Sequence, residues 1–239
     1  MLITFTNALG VPEEFKPQPA SNLIPDWYKE MDSYVDGEKK PTGSGQTSGT
    51  IKRCMPVFDA ITGGYIIPTY VDVFVSQKPH LEEDGKNTIM LPHYQWPSFN
   101  PIEWHPVEQA PTHPNRNGHQ YDYPKWINSW AIQTPPGYST LFIQPVHRKA
   151  DFTILTGIVD TDQYNAPVNF PFVLNDISFS GLIPAGTPMA QVIPFKRDSW
   201  KMELGDQEML ESQNKTAIKL RTRIFDSYKS QYRQSKEYK

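Results

Sequence analysis

The chain has 239 residues, with 23 prolines against 14 glycines, 30 aromatic residues, a single cysteine and a formal charge of −3. Proline stands at about twice its usual share and breaks helix interiors and central strands alike, so short strands joined by ordered loops are expected. No apolar run is long enough for a membrane-spanning helix, lone Cys54 excludes an internal disulfide and a cysteine-based zinc finger, and the weak negative charge gives no general case for nucleic-acid binding.

Residues 22–31 read as a short helix, with Pro25 and Asp26 placed for a first turn and Trp27 and Met31 on one face. Residues 37–50 are Gly, Ser, Thr, Lys and Pro apart from Glu38 and Gln46, without an apolar residue, the composition of a flexible connection. Residues 1–50 are thus expected to form an N-terminal arm. In residues 65–75, Val71, Val73 and Val75 alternate with Asp72 and Phe74, which predicts a strand. Residues 88–126, dense in Pro, Trp, His and Asn, read as an ordered surface excursion. Five more strands are predicted at 130–133, 139–144, 152–155, 168–174 and 189–195, with Pro or Gly turns between them. That spacing implies a mainly β domain over 51–200, an antiparallel β-sandwich or barrel.

After Gly205 neither Gly nor Pro occurs, and Leu210, Ala217, Leu220, Ile224 and Tyr228 recur at helical spacings. The prediction is one amphipathic C-terminal helix within 201–239. Residues 196–239 hold 11 Lys and Arg against 7 Asp and Glu, a net +4, leaving −7 for the rest. A basic helix on an acidic body serves either to pack on its own sheet or to dock a partner.

Several residues carry chemistry in principle. His93, His105, His113 and His119, with Glu103 and Asp122, contain the ligand types of a mononuclear metal site. Yet His119 and Asp122 are three apart rather than two, and no His-Glu-x-x-His occurs, so His105, His113, His119 and Asp122 compete with a reading in which imidazoles bond loop backbone. Trp96, Trp104, Trp126 and Trp130 either pin a long loop to the core or form an aromatic platform for a base, sugar or Pro-rich peptide. Cys54 reads as a buried small residue. Phosphate-loop, dinucleotide-binding and nucleophile-elbow motifs are absent.

Three segments in order resemble the trimeric dUTPase and dCTP deaminase superfamily. Residues 134–145, Thr-Pro-Pro-Gly-Tyr-Ser-Thr-Leu-Phe-Ile-Gln-Pro, are similar to the turn and strand before that family's phosphate motif. Residues 157–164, Gly-Ile-Val-Asp-Thr-Asp-Gln-Tyr, are similar to its Gly-Val-Ile-Asp-x-Asp-Tyr hairpin, and residues 183–193 to its Pro-x-Gly-x-Arg-Ile-Ala-Gln turn and strand. The resemblance implies a β-clip or jelly-roll-like scaffold and a trimer. It would give Asp160 the role of orienting the hydrolytic water, Tyr164 that of the wall beside the sugar, and Gln191 a phosphate contact. Where the family has Arg-Ser-Gly-Leu-Ala, however, this chain has Val146-His-Arg-Lys-Ala150, and Pro188 stands where the family has arginine. Arg148 and Lys149 would have to meet phosphate in a different way, with magnesium as the metal if nucleotide chemistry were retained.

Residues 50–59 and 185–195 also resemble an uncharacterised family of proteins encoded by marine T4-like phages. The expectation is therefore a non-enzymatic binding or structural protein of a phage, needing no cofactor. It would act in the host cytoplasm or virion and associate with copies of itself or with other phage proteins. An enzyme using Asp160 as base, and a metal site in residues 93–122, remain as alternatives.

Overall fold

The computed structural model describes residues 1–40, 48–79, 88–95, 99–106, 109, 123–176, 178–222 and 227–239. The chain forms two compact units, each built from two separate stretches: residues 1–20 with 64–197, and residues 21–63 with 198–239. This grouping differs from a sequential division into arm, β domain and helix, and strand pairing supplies the reason. β1 (Thr4–Asn7) pairs antiparallel with β8 (Trp130–Gln133), which draws the start of the chain into the first unit.

The fold is mainly antiparallel β, with fourteen strands among the described residues. Besides β1 and β8 these are β2 (Gln18–Pro19), β3 (Tyr65–Pro68), β4 (Val73–Pro79), β5 (Thr88–His93), β6 (Ile102–His105), β7 (Tyr123–Trp126) and β9 (Tyr138–Ile143). β10 (Phe152–Ile154), β11 (Gly157–Val159), β12 (Phe170–Leu174), β13 (Gly181–Ile183) and β14 (Pro188–Lys196) follow. They make a pair, β1-β8, and sheets ordered β10-β12-β7-β6, β11-β9-β14-β3-β2 and β13-β4-β5. The described parts of residues 88–126 include β5, β6 and β7, with Glu103 opposite Lys125 across β6 and β7.

The four sheets share one apolar core. Trp126 stacks on Phe172 with centroids 5.1 Å apart and packs against Phe152 at 5.3 Å, while Phe142 meets Phe170 at 5.5 Å. Val73 and Val75 are fully buried and Phe74 between them is exposed, as strand alternation requires. The residues read as one strand from 65 to 75 are two, because Thr69 leaves the ladder. Its N–H donates to Thr187 O, its carbonyl accepts from the Gly186 N–H, and its hydroxyl donates to Pro184 O.

The prolines of β14 stand where it has one neighbour. Pro188 lies opposite Pro68 of β3 before pairing with β9 begins at Gln191, and Pro194 lies opposite Thr140 of β9 after pairing with β3 has ended at Val192. Each missing N–H therefore falls on an unpaired side of the strand. The turns at 135–138 and 184–187 are of one kind: Tyr138 N–H returns to Pro135 O and Thr187 N–H to Pro184 O. Gly137 (φ 84°) and Gly186 (φ 85°) take the left-handed third position.

The second unit holds α1 (Asp26–Glu30), α2 (Met55–Thr62), α3 (Gln207–Thr222) and α4 (Ser227–Gln231). Pro56 opens α2 and Gly63 ends it. α3 begins where Asp206 accepts the Met209 N–H on its carboxylate. The C-terminal helix expected from the sequence is present as α3, and most of its described side chains are exposed. Of the expected flexible connection, residues 41–47 lie outside the described residues. Ser48 beyond them is buried, donating to Glu38 O and accepting from the Lys40 N–H. No helix among the described residues is long and apolar enough to cross a membrane.

Candidate functional site

The hairpin that carries Asp160 is fixed from inside. Thr161 is buried, and its hydroxyl lies 2.8 Å from that of Thr134 and 2.7 Å from that of Thr140. Beyond β11 the chain turns, Gln163 and Tyr164 donating their N–H groups to the Asp160 carbonyl. This aims two carboxylates at Arg197, the residue after β14.

Arg197 donates from Nη1 to Asp162 Oδ1 at 2.8 Å, to Asp160 Oδ1 at 3.3 Å, to Ser139 Oγ at 3.2 Å and to Tyr138 O at 3.0 Å. Its Nη2 donates to Asp162 Oδ2. Asp162 Oδ2 also accepts the Gly137 N–H, and Ser139 Oγ donates to Asp160 Oδ1 at 2.6 Å. The Arg197 guanidinium, helped by the Gly137 N–H, holds the Asp162 carboxyl down to about 2. Asp162 raises the Arg197 pKa in return. Asp162 is 2% exposed at its side chain and Asp160 is 63% exposed, so the buried carboxylate is the structural partner and Asp160 sits at the rim.

Two of the residues grouped by the resemblance, Asp160 and Gln191, lie towards opposite ends of β9. Asp160 bonds Ser139 near the start of β9, whereas Gln191 pairs with Ile143 at its end, four residues away or roughly 13 Å at strand spacing. Gln191 is fully buried and its Oε1 accepts the Val146 N–H at 3.1 Å, a bond that fixes the loop after β9. In that loop His147 adopts φ 55° and Lys149 is exposed. Arg148 buries Nε and Nη2 without a hydrogen-bond partner among the described residues, and desolvation lowers its pKa. Tyr164 stands half-exposed beside the Asp160 turn.

Of the aromatic platform, Trp126 and Trp130 are core residues and Trp104 is partly exposed on β6. Trp96, His113, His119 and Asp122 lie outside the described residues. His105 Nδ1 lies 2.6 Å from Gln109 Oε1, and His93 Nε2 lies 2.9 Å from Ser76 Oγ. Among the described residues no three of His, Cys, Asp and Glu group as a metal site. Asp160 and Asp162 present their oxygens to one guanidinium rather than to an open coordination position.

A second concavity, which sequence reasoning missed, lies wholly in the second unit. It encloses about 310 Å³ and is lined by Tyr28, Phe58, Lys52, Arg53, Lys229 and Arg233, together with Ser33 and Met55. Tyr28 is buried, donates its hydroxyl to Lys52 O at 2.8 Å and packs against Phe58 at 6.0 Å. Burial pushes the Tyr28 phenol up, and Cys54 and Asp59 add to the shift. Arg233 reaches Asp59 through Nε at 3.0 Å and Nη2 at 2.7 Å, Lys236 reaches the same carboxylate at 2.9 Å, and the Asp59 carboxyl is lowered in consequence. The only signals in the sequence were the basic bias after residue 196 and the Lys52-Arg53 pair. Nothing local joins Asp59 to Arg233, which are 174 positions apart.

No family model matches the chain, and no curated protein matches it.

Proposed function

We propose that the chain is a non-enzymatic binding or structural protein, phage-encoded, built on a β scaffold. The observation that carries this reading is the state of Asp160. Its Oδ1 already accepts from Ser139 and Arg197, so that oxygen is engaged within the chain. Gln191 is committed to the backbone of the following loop, and the phosphate cradle of the resembled family is replaced by Val146-His-Arg-Lys-Ala150. The phage origin rests on the resemblance of residues 50–59 and 185–195. Purified protein incubated with dUTP, dCTP and other nucleoside triphosphates in magnesium is expected to release no product. Turnover that disappears in Asp160→Asn would establish the nucleotide-acting enzyme instead.

Assembly with further copies is the structural side of the same proposal, and α3 supports it. Met209, Leu210 and Leu220 are exposed on one side of a helix with Glu208 and Glu211 in its first half and Lys215 and Lys219 in its second. Two such helices laid antiparallel set acid against base along their length while covering the apolar residues. Sedimentation equilibrium should show self-association that Leu210→Glu weakens. A monomer at all concentrations tested would exclude it.

A further inference from the structure

We propose that the groove of the second unit is a binding site for a small phosphate monoester bearing a flat apolar group, the chemistry of a nucleoside monophosphate. The charge of the lining comes first. Lys52, Arg53, Lys229 and Arg233 converge on one concavity, and no carboxylate of the described residues lines it. Asp59 stands behind Arg233 and fixes its orientation, leaving Nη1 without a bond to any described residue. Lys52 is fixed too, because Nζ donates to Lys29 O at 2.7 Å and Met31 O at 2.8 Å, which leaves one N–H. The Arg53 guanidinium lies over the Tyr34 ring, 4.5 Å from its centroid. Lys229 is exposed and bonds no described residue.

Three of the four cations are therefore held in place before any ligand arrives, which lowers the entropic cost of binding an anion. Four cations without an acid in the lining suit a dianion better than a single carboxylate, and planar arginine donors match phosphate oxygens. The remaining wall, Phe58 and Met55 over buried Tyr28, is apolar. Arg233 lies over the Phe58 ring, 5.8 Å from its centroid, so the cation and the apolar wall adjoin. The volume, about 310 Å³, falls at the small end of ligand pockets.

This site shares no residue with the Asp160 cluster. Failure of the groove proposal would leave the reading of Asp160 untouched, and turnover at Asp160 would not count for the groove.

The test is calorimetric titration of the full chain with AMP and UMP, beside adenosine and inorganic phosphate. A nucleoside monophosphate should bind at one site per chain, at least tenfold more tightly than adenosine or inorganic phosphate, and more weakly as salt rises. Lys229→Glu, at an exposed residue with no other described bond, should weaken binding at least tenfold while leaving the melting curve unchanged. Lys16→Glu, the same charge change at an exposed residue of the first unit, should alter affinity less than twofold. The proposal is overturned if neither monophosphate binds, if inorganic phosphate binds as well as AMP and UMP, or if the two lysine variants weaken binding equally.

Discussion

Arg197 closes on the buried carboxylate of Asp162 through both terminal nitrogens, tying the end of β14 to the turn after β11. Folding lowers the Asp162 pKa from an ordinary 3.8 to about 2, with Arg197 as the main cause. The carboxylate thus stabilises the folded state in full above about pH 4, and that contribution is lost as pH falls towards 2. Asp162→Asn should melt several degrees below the wild type at pH 7, and the gap should narrow steadily between pH 4 and pH 2 when followed by circular dichroism. A gap independent of pH would show that the pair is not the titrating element.

Asp160 shares the same guanidinium from an exposed position, where ion pairs contribute little. Asp160→Asn should therefore change unfolding free energy by less than about 1 kcal/mol, read from urea titration, with Asp162→Asn the more damaging of the two. The reverse order would mean that Asp160, not Asp162, anchors the hairpin.

Gly64 has φ +71°, and a Cβ there would collide with the Val192 carbonyl oxygen. Gly10 has φ +70° with open space around it. Gly10→Ala should cost about 1 kcal/mol, for the left-handed backbone alone, and Gly64→Ala more than about 2 kcal/mol, for backbone and collision together. Equal losses in urea titration would show that β3 and β14 separate to admit the methyl group.

Trp126 lies in the middle of the aromatic core, and its Nε1 is buried without a partner among the described residues. Trp126→Ala should lose about 3–5 kcal/mol. Trp126→Phe keeps a ring on Phe172 and removes the unsatisfied donor, so it should lose less than about 1.5 kcal/mol. A larger loss for phenylalanine would mean that the indole volume outweighs the buried N–H.

The strand at Trp130–Gln133 was legible because its boundaries coincide with Asn128-Ser129 and Thr134-Pro135, which signal turns in the sequence itself. β1 was not legible: four residues give little alternation, and Thr4 finds its partner at Gln133. α2 had a readable start at Pro56 and end at Gly63, yet its eight residues were too short for helical periodicity to show. Asp160 could be singled out through a local motif, whereas its contact with Arg197 depends on strand register. The groove combines Tyr28, Lys52 and Arg233 from segments with no local signal connecting them.

The Ala20 N–H donates to the Gly64 carbonyl at 3.0 Å, so the segment 21–63 leaves and re-enters the first unit at one point. During synthesis that segment emerges before strands β3–β14, whereas its partners in residues 198–239 emerge after them. All fourteen strands of the first unit have left the ribosome before Arg233 is available to Asp59. The groove is consequently completed after the β scaffold, and a ribosome-bound nascent chain can hold the finished strands while Lys52 and Arg53 still await the other half of their site.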